Sequence, residues 1–234
     1  MHWKHCEVIQ VSRVQIPSGP LYKMKLIFLG PPGAGKGSVA REIIKKKGIP
    51  QISTGDLIRD SISKNSEEGK KAKEFYEQGK LVPDEIIIEL LKKRISQDDC
   101  ENGFILDGFP RTIPQAEALD KEIDIDKVIN FKVSDETILS RLSGRRICEK
   151  CGSIYHLINI PPKVEGVCDE CEGNLFQRKD DNEDVIKKRL EEYQEKTAPL
   201  IYYYDEKGNL VEVELEGDLL KNVRDTLEVL EKYF

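Results

Sequence analysis

Residues 24–38 read Met24-Lys25-Leu26-Ile27-Phe28-Leu29-Gly30-Pro31-Pro32-Gly33-Ala34-Gly35-Lys36-Gly37-Ser38, an apolar run that passes straight into a glycine-rich turn. A short apolar run bounded by glycine is the pattern of a buried strand, and the residues after it, 34–47, are predicted to be helical. Strand, glycine-rich turn and helix in that order form the context a phosphate-binding loop needs. The glycines let the backbone turn its N–H groups toward an anion, the helix N-terminus adds partial positive charge, and Lys36 adds a full one. The loop departs from the general form because Gly37 follows the lysine and the hydroxyl arrives one residue later, at Ser38. A tight turn with an incidental lysine leaves the register of four glycines and Lys36 unexplained.

Outward from the loop the chain alternates. The runs KLIFL, FILDG and KVINFKV read as buried strands, and residues 84–97 and 134–143 read as helices, the second opened by Ser134, Asp135 and Glu136. This alternation predicts an α/β fold of the P-loop NTPase type, a parallel sheet flanked by helices in three layers. Two segments interrupt it. Residues 53–82 are charged and helical, and residues 144–181 are rich in Cys, Gly and Pro with short strand-like runs; both read as insertions in a core spanning 24–234. Residues 1–23 sustain neither period and lack the apolar region of a secretory signal, so they are read as a disordered extension ahead of a start at Met24. The chain has 234 residues, 34% of them charged, and a net charge of -6, which fits a soluble, highly charged globular protein and weakly disfavours a general nucleic-acid binder. No run reaches the ~18 apolar residues of a membrane span.

The segments GPPGAGKGS, ISTGDLIR, GKLVPDE, GFILDGFPRTIPQA, GRR and RKDD occur in the order and approximate spacing of the adenylate kinases, and over essentially all of 24–234 the chain resembles that family, most closely its long-lid, zinc-binding bacterial type. The resemblance implies reversible phosphoryl transfer between ATP and AMP to give two ADP, with Mg2+ accompanying ATP and structural Zn2+ in the lid. It implies that Gly33, Ala34, Gly35, Lys36, Gly37 and Ser38 wrap the ATP phosphates, with Arg145, Ile154 and Tyr155 also on the ATP side; for Tyr155, plain lid packing is an equal reading. AMP falls to Thr54, Arg59, Lys80, Leu81, Val82, Gly108, Phe109, Pro110, Arg111 and Gln115, together with Arg178 and Arg189. Lys36, Arg111, Arg145, Arg178, Arg189 and Asp107 are the implied catalytic set, Asp107 orienting hydrated magnesium. The loop at Gly217-Asp218-Leu219 is implied to pass the ATP base, with no single residue assigned. A cytoplasmic monomer is implied as well, with no nucleic-acid or membrane partner.

The residue chemistry agrees with these roles. Arginine forks match a phosphate, and an amide offers donor and acceptor on one plane to a base edge. Phosphoryl transfer asks mainly for positioning and neutralisation of charge, so a site without a catalytic histidine is chemically sufficient. A monophosphate kinase with another base preference remains open, and Thr54 and Gln115 decide it; a hydroxyl and an amide favour AMP.

The pairs Cys148-x2-Cys151 and Cys168-x2-Cys171, sixteen residues apart, have metal-ligand spacing. Four thiolates would fill a tetrahedral zinc site and leave no place for water, which makes such a metal structural. Disulfides are the competing reading. A nucleic-acid-binding zinc ribbon needs a basic or aromatic surface, whereas residues 149–172 carry several acidic side chains and few basic ones.

Overall fold

A computed structural model describes residues 24–77, 82–178, 181–216 and 219–232. The expectations for residues 1–23, for Lys80 and Leu81, and for Gly217 and Asp218 lie outside the described residues.

Strand β1 (Met24–Leu29) leads through the loop to helix α1 (Lys36–Lys47) and then to β2 (Gln51–Ser53). The helices α2 (Thr54–Ser63), α3 (Glu67–Glu77) and α4 (Asp84–Ile95) follow, then β3 (Gly103–Asp107), α5 (Ile113–Asp120), β4 (Lys127–Lys132) and α6 (Asp135–Ser143). The cysteine-rich segment contributes β5 (Arg145–Cys148), β6 (Ile154–His156) and β7 (Leu175–Phe176). The chain closes with α7 (Glu183–Glu192), a π-helical turn at Tyr193–Thr197, α8 (Pro199–Glu206), β8 (Leu210–Glu214) and α9 (Leu219–Glu231).

The main sheet runs in the order β2-β3-β1-β4-β8, and every neighbouring pair is parallel. Side chains of β1 alternate between two cores, as strand geometry requires. Leu26 and Phe28 pack with Val39, Ala40 and Ile43 of α1 and Val223, Leu227 and Leu230 of α9. Ile27 and Leu29 pack on the other face with Ile58, Leu91, Ala116, Leu119, Leu200 and Tyr204. Burial on both faces explains why β1, β3 and β4 read as nearly unbroken apolar runs. The three-layer α/β fold anticipated from the sequence is present. Chain order reverses around β1, whose sequence-successor strands lie on opposite sides of it, so its carboxyl end is where a ligand crevice belongs.

Three local differences have physical causes. Helix α1 begins at Lys36 rather than at 34, because Gly33 (φ 80°) and Gly35 (φ 97°) are left-handed and the helix cannot start before them. Strand β2 has three residues, too few to show a period, and β8 lies at the sheet edge with Glu212 and Glu214 exposed, so neither stood out as a buried run. The 53–82 segment is broken between α2 and α3 at Asn65, whose φ of 52° ends one helix before the next begins.

The smaller sheet, β6-β5-β7, is antiparallel and carries the cysteines. It joins α6 through Gly144, where a Cβ would stand 2.4 Å from His156 Nε2, so only glycine lets the imidazole settle there. His156 Nε2 faces Ser140 O at 3.1 Å, and its Nδ1 accepts from the N–H groups of Ile158 and Asn159, tying the lid base to the end of α6.

Candidate active site

The loop 30–38 wraps the carboxyl end of β1. Lys36 Nζ donates to the carbonyls of Gly30 (2.7 Å) and Pro31 (2.9 Å), which holds the ammonium inside the loop. Arg141 of α6 braces the same loop by donating to Ala34 O at 2.9 Å and to Leu215 O at 2.8 Å. Loss of water brings the Lys36 pKa down to about 8; Asp107 opposes the shift, and the guanidiniums of Arg111, Arg189 and Arg145 add to it. Three guanidiniums thus lie close enough to the Lys36 ammonium to repel it.

Asp107 ends β3, and its Oδ2 accepts from Gln51 Nε2 at 2.7 Å. It faces the loop, since a Cβ on Gly37 would lie 3.6 Å from that oxygen. Ser53, capping α2 by accepting from Asp56 N–H, sets Thr54 at the first position of that helix. The buried Thr54 hydroxyl donates to Gly108 O at 3.0 Å. Arg111 Nε donates to the same carbonyl at 2.9 Å, so Gly108 gathers two candidate AMP residues. The Arg111 backbone is pinned from both sides: its N–H donates to Gln115 Oε1 at 2.7 Å, and its carbonyl accepts from the Thr197 hydroxyl at 3.0 Å. Gln115 is 1% exposed and donates through Nε2 to Asp84 Oδ1 at 2.6 Å. Phe109, Pro110 and Val82 are buried. Arg59 pairs with Asp56 and reaches the Tyr76 hydroxyl at 3.4 Å.

The lid is tied to the core by one carboxylate. Asp181, whose side chain is fully buried, takes a bidentate pair from Arg145, with Nε at 2.8 Å, and stands 3.8 Å from Arg189. It aligns an arginine at the lid base with one on α7. Arg178, half-buried, precedes it by three residues. Arg41 of α1 donates to Gly152 O at 2.7 Å, a further link between core and lid.

The sulfur atoms of Cys148, Cys151, Cys168 and Cys171 lie within 4.8 Å of one another, with 3.4 Å between Cys148 and Cys171 and 3.5 Å between Cys151 and Cys168. A disulfide needs about 2.05 Å, whereas tetrahedral zinc–thiolate bonds of ~2.3 Å separate sulfurs by roughly 3.8 Å. The donor set and spacing therefore fit zinc. Burial alone would raise the Cys168 thiol, but hydrogen bonds from the Tyr155 hydroxyl and the Glu170 and Cys171 N–H groups outweigh it and bring it down to about 6, toward the ligand form. The Tyr155 hydroxyl also accepts from Asp169 N–H at 2.7 Å. Its ring is thus committed to packing among the cysteines, while Ile154 is half-buried.

A family model described as adenylate kinase matches residues 28–209. The chain is 53% identical to the adenylate kinase of Caldicellulosiruptor saccharolyticus over 212 residues, covering 88% of this chain and 99% of that one. It is 51% identical to the adenylate kinase of Archaeoglobus fulgidus over 214 residues, covering 89% and 99%. The chain belongs to the adenylate kinase family. Within this adenylate kinase framework, several partners were not singled out from the sequence. Asp181 could have been suspected from the acidic pair following Arg178 in RKDD. Gln51, Asp84 and Thr197 carry no local signal, because each acts on a residue at least 31 positions away.

Proposed function

We propose that this chain transfers the terminal phosphoryl group of ATP to AMP, reversibly, giving two ADP. The observation that carries the proposal is the convergence of Lys36, Arg111, Arg145 and Arg189 at the carboxyl end of β1, where burial first and the three guanidiniums second depress the Lys36 ammonium. Such a cluster suits a polyphosphate, whose charge would relieve the repulsion and favour the charged form of Lys36.

In this reading the backbone N–H groups of residues 33–38 and Lys36 hold the ATP phosphates, with Arg145 and the Ile154-Tyr155 backbone closing from the lid. Thr54, Arg59, Val82, the Gly108–Arg111 turn and Gln115 hold AMP, and Lys80 and Leu81 belong to the same set. Arg111, Arg178 and Arg189 neutralise the moving phosphoryl group; Asp181 orients Arg145 and Arg189 while they do so. The AMP phosphate oxygen is already a competent nucleophile near neutral pH, its second ionisation lying at about 6, so no side chain is assigned as base. The Asp107 carboxylate and Ser38 hydroxyl are hard oxygen donors suited to Mg2+, which when bound supplies neutralisation of phosphate charge. The four cysteines would hold zinc as a staple for the lid. The segments 53–82 and 144–181 act as AMP-binding and lid subdomains. A cytoplasmic monomer completes the reading; among the described residues no helix is long and apolar enough to cross a membrane.

The test is ADP formation from ATP with AMP, GMP, CMP and UMP in turn. Strong preference for AMP is expected. Turnover with another monophosphate at equal or greater kcat/KM would assign the site to a different base.

A further inference from the structure

We infer that Asp84 is a specificity-determining residue, fixing the direction of the Gln115 amide so that the site accepts adenine and rejects guanine. The inference rests on the reading that Gln115 contacts the AMP base.

A glutamine amide is nearly symmetric in shape but not in chemistry: one end accepts, the other donates. Left free, it can rotate by half a turn and offer either order. Adenine presents an N6–H donor beside a ring-nitrogen acceptor. Guanine presents the O6 acceptor beside the N1–H donor, the reverse order on the corresponding edge. An amide free to rotate would therefore serve both bases about equally well.

Here both ends of the amide are fixed by groups that cannot exchange roles. The Arg111 backbone N–H, at 2.7 Å, is only a donor, so Oε1 must face it. The Asp84 carboxylate, at 2.6 Å, is an acceptor, so Nε2 must face it. The assignment follows from the chemistry of the partners. Rotation would set oxygen against carboxylate and N–H against N–H, at a position only 1% exposed, where water cannot step in. In the fixed orientation one Oε1 lone pair and one Nε2 hydrogen remain, the set that adenine complements.

Asp84 opens α4, so a purely structural alternative exists: its charge favours the helix N-terminus and touches specificity not at all. Asp84→Asn separates the two. The new carboxamide keeps the size but can donate as well as accept, which removes one of the two barriers to rotation. The expected result is a rise in the GMP:AMP ratio of kcat/KM of about tenfold, carried mainly by KM. In a Gln115→Ala background the same substitution should add nothing. Asp84→Ser, which also donates and accepts, should relax the ratio in the same direction should the asparagine variant be unstable. If Gln115→Ala relaxes base preference while Asp84→Asn and Asp84→Ser lower AMP and GMP turnover in equal proportion, the role assigned to Asp84 is overturned and that of Gln115 stands. If Gln115→Ala itself leaves base preference unchanged, the reading beneath both is wrong.

Discussion

Behind the phosphate loop, Leu26, Phe28, Ile105, Ile129 and Phe131 are each at most 1% exposed and form one continuous apolar layer with α1 and α9. In the lid the buried cluster is Cys148, Tyr155 and Cys168, with Cys171 and Leu175 packed against it, while Leu157, Ile158 and Val164 face outward at 51%, 80% and 62% exposure. The sheet is ordered by apolar burial, at roughly 25 cal/mol per Å2. The lid directs much of its apolar surface into solvent and has little left with which to build a core, so its order depends on four sulfurs and a few hydrogen bonds. The comparison teaches that the two halves of the site should fail independently. Damage to the loop should remove chemistry and spare stability, and damage to the cysteine cluster should do the opposite.

The largest expected effect is that of Lys36→Ala. Its ammonium donates to the Gly30 and Pro31 carbonyls and is held there against repulsion from three arginines. Removing it should lower kcat by about 10²- to 10³-fold while the melting temperature holds or rises slightly. Steady-state kinetics and thermal denaturation of one preparation check both. Near-normal turnover would break the assignment of the loop as the phosphate site.

The second effect is smaller in activity and larger in local stability. Protein prepared without chelator should carry about one equivalent of zinc. Chelation should open residues 144–181 to protease before the sheet unfolds, with amide exchange in β1, β3 and β4 unchanged. Turnover should fall less than in Lys36→Ala, because the metal positions the lid without touching phosphate. Absence of zinc together with a mass lower by two hydrogens for each bridge would instead establish disulfides.

How much of this was legible in the sequence follows the same division between local and distant chemistry. The loop could be read because its strand, its glycines and Lys36 are consecutive, and the metal set because Cys-x2-Cys places two donors on one turn. What could not be read are the partners that aim these groups. Asp181 meets Arg145 across 36 positions, Gln51 meets Asp107 across 56, and Asp84 meets Gln115 across 31. Each depends on how the elements dock, which no local pattern encodes. The direction of the Tyr155 ring was undecided for a related reason: alternation along a three-residue strand does not say which face meets the sulfurs.

The smallest effect lies in protons, and it sharpens the account of the loop. Lys36 in the unliganded site has a pKa of about 8, lowered from 10.5 by loss of water and by Arg111, Arg189 and Arg145. A phosphate brought beside it favours the charged form, so the pKa of the complex must lie higher than that of the free enzyme. Where the bound pKa exceeds the free one, binding takes up protons, and the window is that between the two values. At pH 8.5 about three-quarters of free Lys36 is neutral, so ATP binding should draw in roughly that fraction of a proton; at pH 7 the uptake should be about a tenth. Apparent affinity for ATP should correspondingly weaken as pH rises through 8. Calorimetric titration in two buffers of different ionisation enthalpy measures the uptake, and the same titration of Lys36→Ala subtracts any protons exchanged by the nucleotide itself. A difference of zero between the two proteins at pH 8.5 would mean that Lys36 is already fully charged before ATP arrives, and that burial and the neighbouring guanidiniums together do not hold its pKa near 8.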